Sequence, residues 1–135
     1  MNAVDTNVLL YVHDPRDPAK QSQAIVLVAS LTNAALLWQV ACEYVSASRK
    51  LAPLGFRQED AWRELNRLQT IWTGIVPDWR HLRRAEALLA SRSISFWDAL
   101  LIAAALESGV TTLYSEDLSG MGHIPGLNLI NPFAP

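Results

Sequence analysis

Cysteine is almost missing from this chain of 135 residues: Cys42 stands alone, so no internal disulfide can close. As a lone thiol it is expected to serve as a small buried apolar residue. Histidine is nearly as scarce. His13, His81 and His123 are scattered, and no CxxC or HExxH spacing marks a zinc site. An excess of one charge is also lacking: 11 Lys and Arg stand against 13 Asp and Glu, a net charge of −2. No chain-wide basic field therefore gathers a polyanion, and any such partner must be held by local arginines or by bound cations. Long hydrophobic runs are absent too. The run from Ala99 to Leu106 is apolar throughout, but it falls far short of the roughly 18 residues that cross a bilayer. The N-terminal apolar stretch has no basic segment ahead of it. Neither a leader nor a membrane anchor is expected, and the cytoplasm is the expected location. There are no repeats. The length and the apolar content suit one domain, residues 1–135, with a core of its own.

What is present is an alternation of short strands and helices. Asn2 to Val4 reads as a strand running almost directly into a helix that ends near Tyr11. Asp17 and Pro18 cap and start a second helix, to about Leu31, with Ala24, Leu27, Val28 and Leu31 inward. Ala35 to Trp38 reads as a buried strand, and Gln39 to Leu51 as a helix carrying Val40, Tyr44 and Ala47 on one face. Pro53 and Gly55 break it. Arg57 to Ile71 is amphipathic, with Ala61, Leu65 and Leu68 inward and Glu59 and Arg63 paired outward. Ile75-Val76-Pro77 reads as an edge strand, because proline cannot sit inside a ladder. Asp78 caps a helix burying Leu82, Ala85, Leu88 and Leu89. Phe96 to Gly109 is a buried helix ended by glycine, and strands follow at Thr111–Tyr114 and Leu127–Ile130. This alternation predicts an α/β fold: three αβα layers around a central, mostly parallel five-stranded sheet.

Ligands of such sheets bind beyond the carboxyl ends of the strands. Asp5 and Asp117 each lie just past a strand, Asp98 heads the central helix, and Glu43 lies on the helix after the second strand. A parallel sheet brings all four to one rim. Each also has a plain structural reading: Asp5 and Asp117 as helix caps, Glu43 as a solvated acid, Asp98 as part of a Ser95-x-x-Asp98 capping box.

Taken in order, VDTNVLLY, FWDALLIAAALESG, LYSEDL and the closing INPF resemble a PIN-domain ribonuclease, and in particular the single-domain VapC-type toxin of prokaryotic toxin–antitoxin pairs. The resemblance covers the whole chain. It implies the PIN-like version of the predicted fold and carries the family's acidic residues onto Asp5, Glu43, Asp98 and Asp117. It carries the supporting polar residues onto Thr6, Asn7 and Ser115. Glu116, beside a matched acid, is not required by the pattern. The implied activity is endonucleolytic hydrolysis of RNA by metal-activated water, leaving a 5′-phosphate and a 3′-hydroxyl. The implied partners are an RNA substrate, a small antitoxin and a second copy of the chain in a homodimer.

Converging carboxylates repel one another unless a cation sits among them. Mg²⁺ takes oxygen ligands and few carboxylates directly, with Mn²⁺ as its substitute. Asp5 and Asp98 are expected to hold it first, with Asp117 and Glu43 acting through water or on a second ion about 4 Å away. Arg49, Lys50, Arg80, Arg83, Arg84 and Arg92 are candidate phosphate contacts, although a solvated helix face carries arginines too. Lys20 is uninformative. His13 and His81 are expected on the surface. Trp38 and Trp97 are expected in core or rim packing, and Trp62, Trp72 and Trp79 at an interface. Two rival readings stand beside the nuclease. One is a catalytically silent PIN-like binding or dimerisation module, against which the full acidic set argues. The other is an aspartyl-phosphate phosphohydrolase, whose second aspartate, two residues after the nucleophile, is here replaced by Asn7.

Overall fold

The first strand is three residues long because Asp5 ends it: the acid takes extended backbone angles and caps the helix that starts at Thr6. A computed structural model describes residues 1–135, the side chain of Ser119 excepted. Its elements are β1 (Asn2–Val4), α1 (Thr6–Tyr11), α2 (Pro18–Ser30), β2 (Ala34–Leu37), α3 (Trp38–Ala47), α4 (Gln58–Ile71), β3 (Thr73–Ile75), α5 (Trp79–Ser91), α6 (Phe96–Glu107), β4 (Thr112–Tyr114) and β5 (Asn128–Ile130). Short 3₁₀ turns occupy Ser48–Leu54 and Ser119–Met121.

All five strands are parallel, in the order β3-β2-β1-β4-β5. Succession runs outward from β1 to β3, then returns to the other side of β1 for β4 and β5. Right-handed crossovers put the helices of the two directions on opposite faces. Helices α1 to α4 pack together, α5 and α6 form a separate hairpin, and three layers result. The order reverses between β1 and β4, and a crevice opens there at the carboxyl ends of the two strands. Val4 pairs with Tyr114 at that end.

Side chains fill the core as the periodicity predicts on most elements: Ala61, Leu65 and Leu68 of α4, and Ala85 and Leu88 of α5. Helix α6 is buried on several sides at once, which is why its run shows no polar stripe. Ser95 caps it by accepting from the Asp98 amide, and Gly109 follows it at a φ of 78°, where a side chain would be strained.

Several expectations are corrected. Strand β2 starts and ends one residue earlier, and Trp38 opens α3 with its indole largely exposed, as is that of Trp97. Helix α2 buries only Ala24 fully; Leu27, Val28 and Leu31 are half-buried, since a short helix on an outer layer meets its neighbours along a narrow line. Leu82 is exposed and Leu89 half-buried. Trp72 is buried where α4 hands over to β3, whereas Trp62 and Trp79 are exposed. Cys42 is exposed because Val40 and Tyr44, not its own position, face the core. Strand β3 is an edge strand, displaced to Thr73–Ile75 and ending before Pro77. Glu59 pairs with Arg57, and Arg63 with Asp60, instead of with each other.

Neither His13 nor His81 is a surface residue. His81 is buried, and its Nδ1 accepts the Asp78 amide at 2.8 Å to complete the cap of α5. His13 stacks face to face on Phe56, ring centroids 3.8 Å apart, with Nε2 3.1 Å from the Tyr44 hydroxyl. Burial pushes the His13 imidazole below its ordinary pKa of 6.5. A depressed folded-state pKa stabilises the fold above the unfolded value, and that contribution is lost as pH falls through the folded one. His13→Phe is therefore expected to shrink the drop in unfolding midpoint between pH 7 and pH 5, as thermal melts would read; an unchanged drop would assign the acid sensitivity to other groups.

Candidate active site at the strand-order reversal

Four polar side chains beyond the ends of three strands, β1, β2 and β4, tie the acids together. Asp5 is 8% exposed; its Oδ1 accepts the Thr6 amide at 2.7 Å and its Oδ2 accepts the Ser115 hydroxyl at 2.8 Å. Ser115 in turn accepts the amides of Asp117 and Leu118, each at 3.2 Å, so one hydroxyl shapes the turn after β4 while it holds the acid after β1. Thr6 turns its own hydroxyl to Glu43 Oε2 at 2.9 Å. Asn7 donates to Asp117 Oδ2 at 3.1 Å and accepts the Glu116 amide at 3.4 Å. Gln39 completes the set: its amide donates to Glu43 Oε1 at 3.0 Å and to the Trp97 carbonyl at 3.2 Å. Glu43 is thereby linked to the first turn of α6, where Asp98 sits half-buried.

Electrostatics follows from this crowding. Burial raises the Asp5 carboxyl above its ordinary pKa, and the charges of Glu43 and Asp117 push the same way. The Ser115 and Thr6 hydrogen bonds work against that rise. A cation at this rim would relieve the repulsion, and the donors are carboxylate, hydroxyl and amide oxygens, which suit a hard ion. Among the described residues no three His, Cys, Asp or Glu side chains crowd closely enough to form a ready cage. Mg²⁺ needs none, because it keeps several waters and typically takes one or two carboxylates directly.

The structure brings Asp5, Glu43 and Asp117, with Thr6, Asn7 and Ser115, into one hydrogen-bonded group. Asp98 is tied in through Gln39. The candidate phosphate contacts are dispersed. Arg80, Arg83 and Arg84 pair with Asp78, Glu86 and Glu107. They share a shallow groove with Glu107, nine residues along α6 from Asp98, about 13 Å by helical rise. Arg92 donates to the His123 carbonyl at 2.8 Å. Arg49 and Lys50 are exposed on the 3₁₀ turn after α3, and Lys50 borders the same recess as Asn7 and Asp117.

Sequence reasoning passed over two residues. Gln39 lies four positions before Glu43, a spacing that puts both on one helix face, so a local signal existed. Lys20 had none: 96 positions separate it from Glu116, whose Oε1 it meets at 2.7 Å. The Glu116 carboxylate, first, and the Tyr11 hydroxyl raise the Lys20 ammonium to about 12. Tyr11 and Phe133 cover the pair, their rings 5.1 and 5.8 Å from the Lys20 Nζ. Glu116 is thus held by α2 instead of adding a charge to the acidic rim.

A doubly wound parallel sheet with oxygen donors at its reversal point defines a class of α/β domain that works at its strand ends. The chain belongs to the PIN domain family, which matches residues 3–121. No curated protein matches it in sequence. Among solved structures it is similar to a toxin–antitoxin complex from Klebsiella pneumoniae, at 19% identity and a TM-score of 0.71, covering 98% of each chain. It is also similar to VapC20 of Mycobacterium tuberculosis, described as a toxin that cleaves the sarcin-ricin loop, at 20% identity and a TM-score of 0.66, over 92% of this chain and 97% of that one. A third is VapBC-1 of nontypeable Haemophilus influenzae, at 16% identity and a TM-score of 0.65, covering 98% of each chain. At such identities the likeness is one of fold.

The Lys20–Glu116 pair is open to a coupling test. Lys20→Met and Glu116→Gln are each expected to lower the unfolding midpoint, and the double variant to lose less than the sum of the two. Strict additivity in denaturant melts would show that the pair contributes nothing to holding the turn.

Proposed function

We propose that the chain is a metal-dependent endoribonuclease, the toxin half of a VapC-type toxin–antitoxin pair. One observation carries this reading: neutral side chains on the turns after β1 and β4 hold Asp5, Glu43 and Asp117 at the strand-order reversal. Membership of the PIN domain family supports the nuclease, and the fold shared with proteins described as toxins and toxin–antitoxin complexes supports the toxin. In the phosphohydrolase alternative the second position after Asp5 would act as an acid; here Asn7 spends its amide on Asp117.

Asp5 and Asp98 would hold Mg²⁺, or Mn²⁺ in its place, with Glu43 and Asp117 acting through water or on a second ion. Bound there, the ion supplies an activated water and stabilises the departing oxygen of the phosphodiester. Ser115 aims one oxygen of Asp5, Thr6 aims Glu43, and Asn7 aims Asp117, which fixes the carboxylates before substrate arrives. No helix among the described residues is long and apolar enough to cross a membrane, in keeping with the proposed cytoplasmic site of action. For the antitoxin we propose an apolar groove of about 540 Å³ beside α3, lined by Trp38, Val45, Trp62, Leu65 and Val76 among others. A homodimer is proposed from the family resemblance.

Asp98→Asn is expected to cut RNA cleavage by more than about 100-fold, beyond the cost of losing an outer-shell partner, with the melting midpoint close to that of the wild type. Retained cleavage by the purified variant would remove Asp98 from the mechanism. A chelator is expected to stop cleavage and added Mg²⁺ or Mn²⁺ to restore it; cleavage that survives chelation would refute metal dependence. Trp62→Asp is expected to weaken antitoxin binding by about tenfold or more in a titration. Unchanged affinity would locate the antitoxin on another face.

A further inference from the structure

Helix α3 turns three faces to three different surroundings. Val40 and Tyr44 enter the core, Trp38, Ala41 and Val45 border the apolar groove, and Gln39 and Glu43 are left for the acidic rim. Gln39 carries no charge, yet its amide reaches both an acid of α3 and the turn that carries an acid of α6. Resting on the metal-dependent ribonuclease reading, we infer that Gln39 is a positioning residue: it fixes Glu43 against the first turn of α6, and so sets how tightly the acidic rim holds its divalent cation.

Both partners of the Gln39 Nε2 are acceptors: Glu43 Oε1 at 3.0 Å and the Trp97 carbonyl at 3.2 Å. Two N–H groups on one nitrogen serve the two of them, which settles the orientation of the amide. Turned over, it would set its own oxygen against a carboxylate and a carbonyl. The orientation is kept although Gln39 Oε1 is buried without a partner among the described residues, which is a cost in itself. Glu43 accepts the Thr6 hydroxyl on its other oxygen, Oε2, at 2.9 Å. Each Glu43 oxygen thus carries one hydrogen bond and keeps a lone pair for a cation or for water on that cation. A carboxylate held at both ends loses little freedom when an ion arrives.

Asp98 is placed by other means. Its amide donates to Ser95 in the same turn at 3.1 Å, and its carboxylate accepts no hydrogen bond among the described residues. Its position is therefore that of the turn which carries it. Phe96 and Trp97 are 41% and 62% exposed, so packing grips α6 from the buried Ala99 onward and holds the turn before it weakly. Among the described residues, the bond from Gln39 to the Trp97 carbonyl alone joins residues 95–98 to another element. Without the Gln39 donors that turn moves independently of Glu43, and the two acids no longer face one ion. The loss falls on the cation, because Gln39 stands among acids and its donors are spent on acceptors of the chain itself.

The probe is Mn²⁺ alone, titrated into the full chain without RNA, with the free ion read by electron paramagnetic resonance. Gln39→Met keeps the length of the side chain and removes both donors. It is expected to weaken Mn²⁺ binding about tenfold, as loss of a hydrogen-bond partner of a metal ligand does. In cleavage assays the Mg²⁺ concentration at half-maximal rate is expected to rise by about the same factor, while the KM for RNA and the rate at saturating Mg²⁺ stay within about threefold of wild type. Gln39→Asn keeps the amide but is one methylene too short to span both acceptors. It is expected to give the same shift, so the inference stays testable if the methionine variant folds poorly. Wild-type Mn²⁺ affinity in either folded variant, or a lowered melting midpoint with no change in affinity, would overturn the inference and leave the ribonuclease reading intact. A wild-type chain that neither binds Mn²⁺ nor cuts RNA would overturn both.

Discussion

A hydroxyl joins the two halves of this fold. Ser115, one residue past β4, donates to Asp5, one residue past β1, across 110 positions of sequence. β1 and β4 are neighbours at the point where the strand order reverses: α1 follows β1, and only a turn and a short 3₁₀ segment follow β4, which leaves a crevice between their ends. The acid placed there is deeply buried, and its charged form is tolerable only with hydrogen bonds or a cation nearby. The Ser115 hydroxyl and the Thr6 amide supply two of those interactions, and Ser115 has no oxygen to spare because two backbone amides occupy it. The turn that carries Asp117 thus has the same cause as the position of Asp5.

Around this bond, neutral side chains separate like charges. Thr6, Asn7 and Gln39 each stand between elements that carry acids, and each donates a hydrogen bond to a carboxylate. Glu116, adjacent to the rim, is drawn off by Lys20 on the outer helix α2. Phe133 from the C-terminal tail lies over that pair and against Tyr11, which accounts for the closing INPF segment as part of the support of the acidic rim. The acidic rim therefore depends on residues near both termini of the chain.

The apolar surface tells a second story. Trp38, Trp62 and Val76 border one groove, Trp79 joins the arginines of α5 at another, and Phe96 and Trp97, immediately before Asp98, hold their rings edge to face 5.0 Å apart. Trp38 and Trp97 sit in apolar runs that read as core or rim, yet their indoles are exposed, and Trp62 and Trp79 are exposed as well. Helices of a three-layer domain have only one face turned to the sheet, and aromatics on the other faces are left for partners.

The sequence alone determined what its local patterns could carry. Strand–helix alternation and the all-round apolar character of Phe96–Glu107 specified an α/β sheet with a buried helix, because burial on several sides leaves no polar stripe. The capping role of Ser95 and the glycine stop at Gly109 were legible because caps are short-range chemistry. The motifs around Asp5, Asp98 and Ser115 were legible through their family likeness. Long-range pairing was not. That Lys20 would bind Glu116, that His81 would be buried and His13 half-buried, and that Arg80, Arg83 and Arg84 would lie with Glu107 at the far end of α6 depended on which helix faces meet. The tertiary structure decided those points, because a residue's own neighbours along the chain do not reveal which distant side chain will share its face.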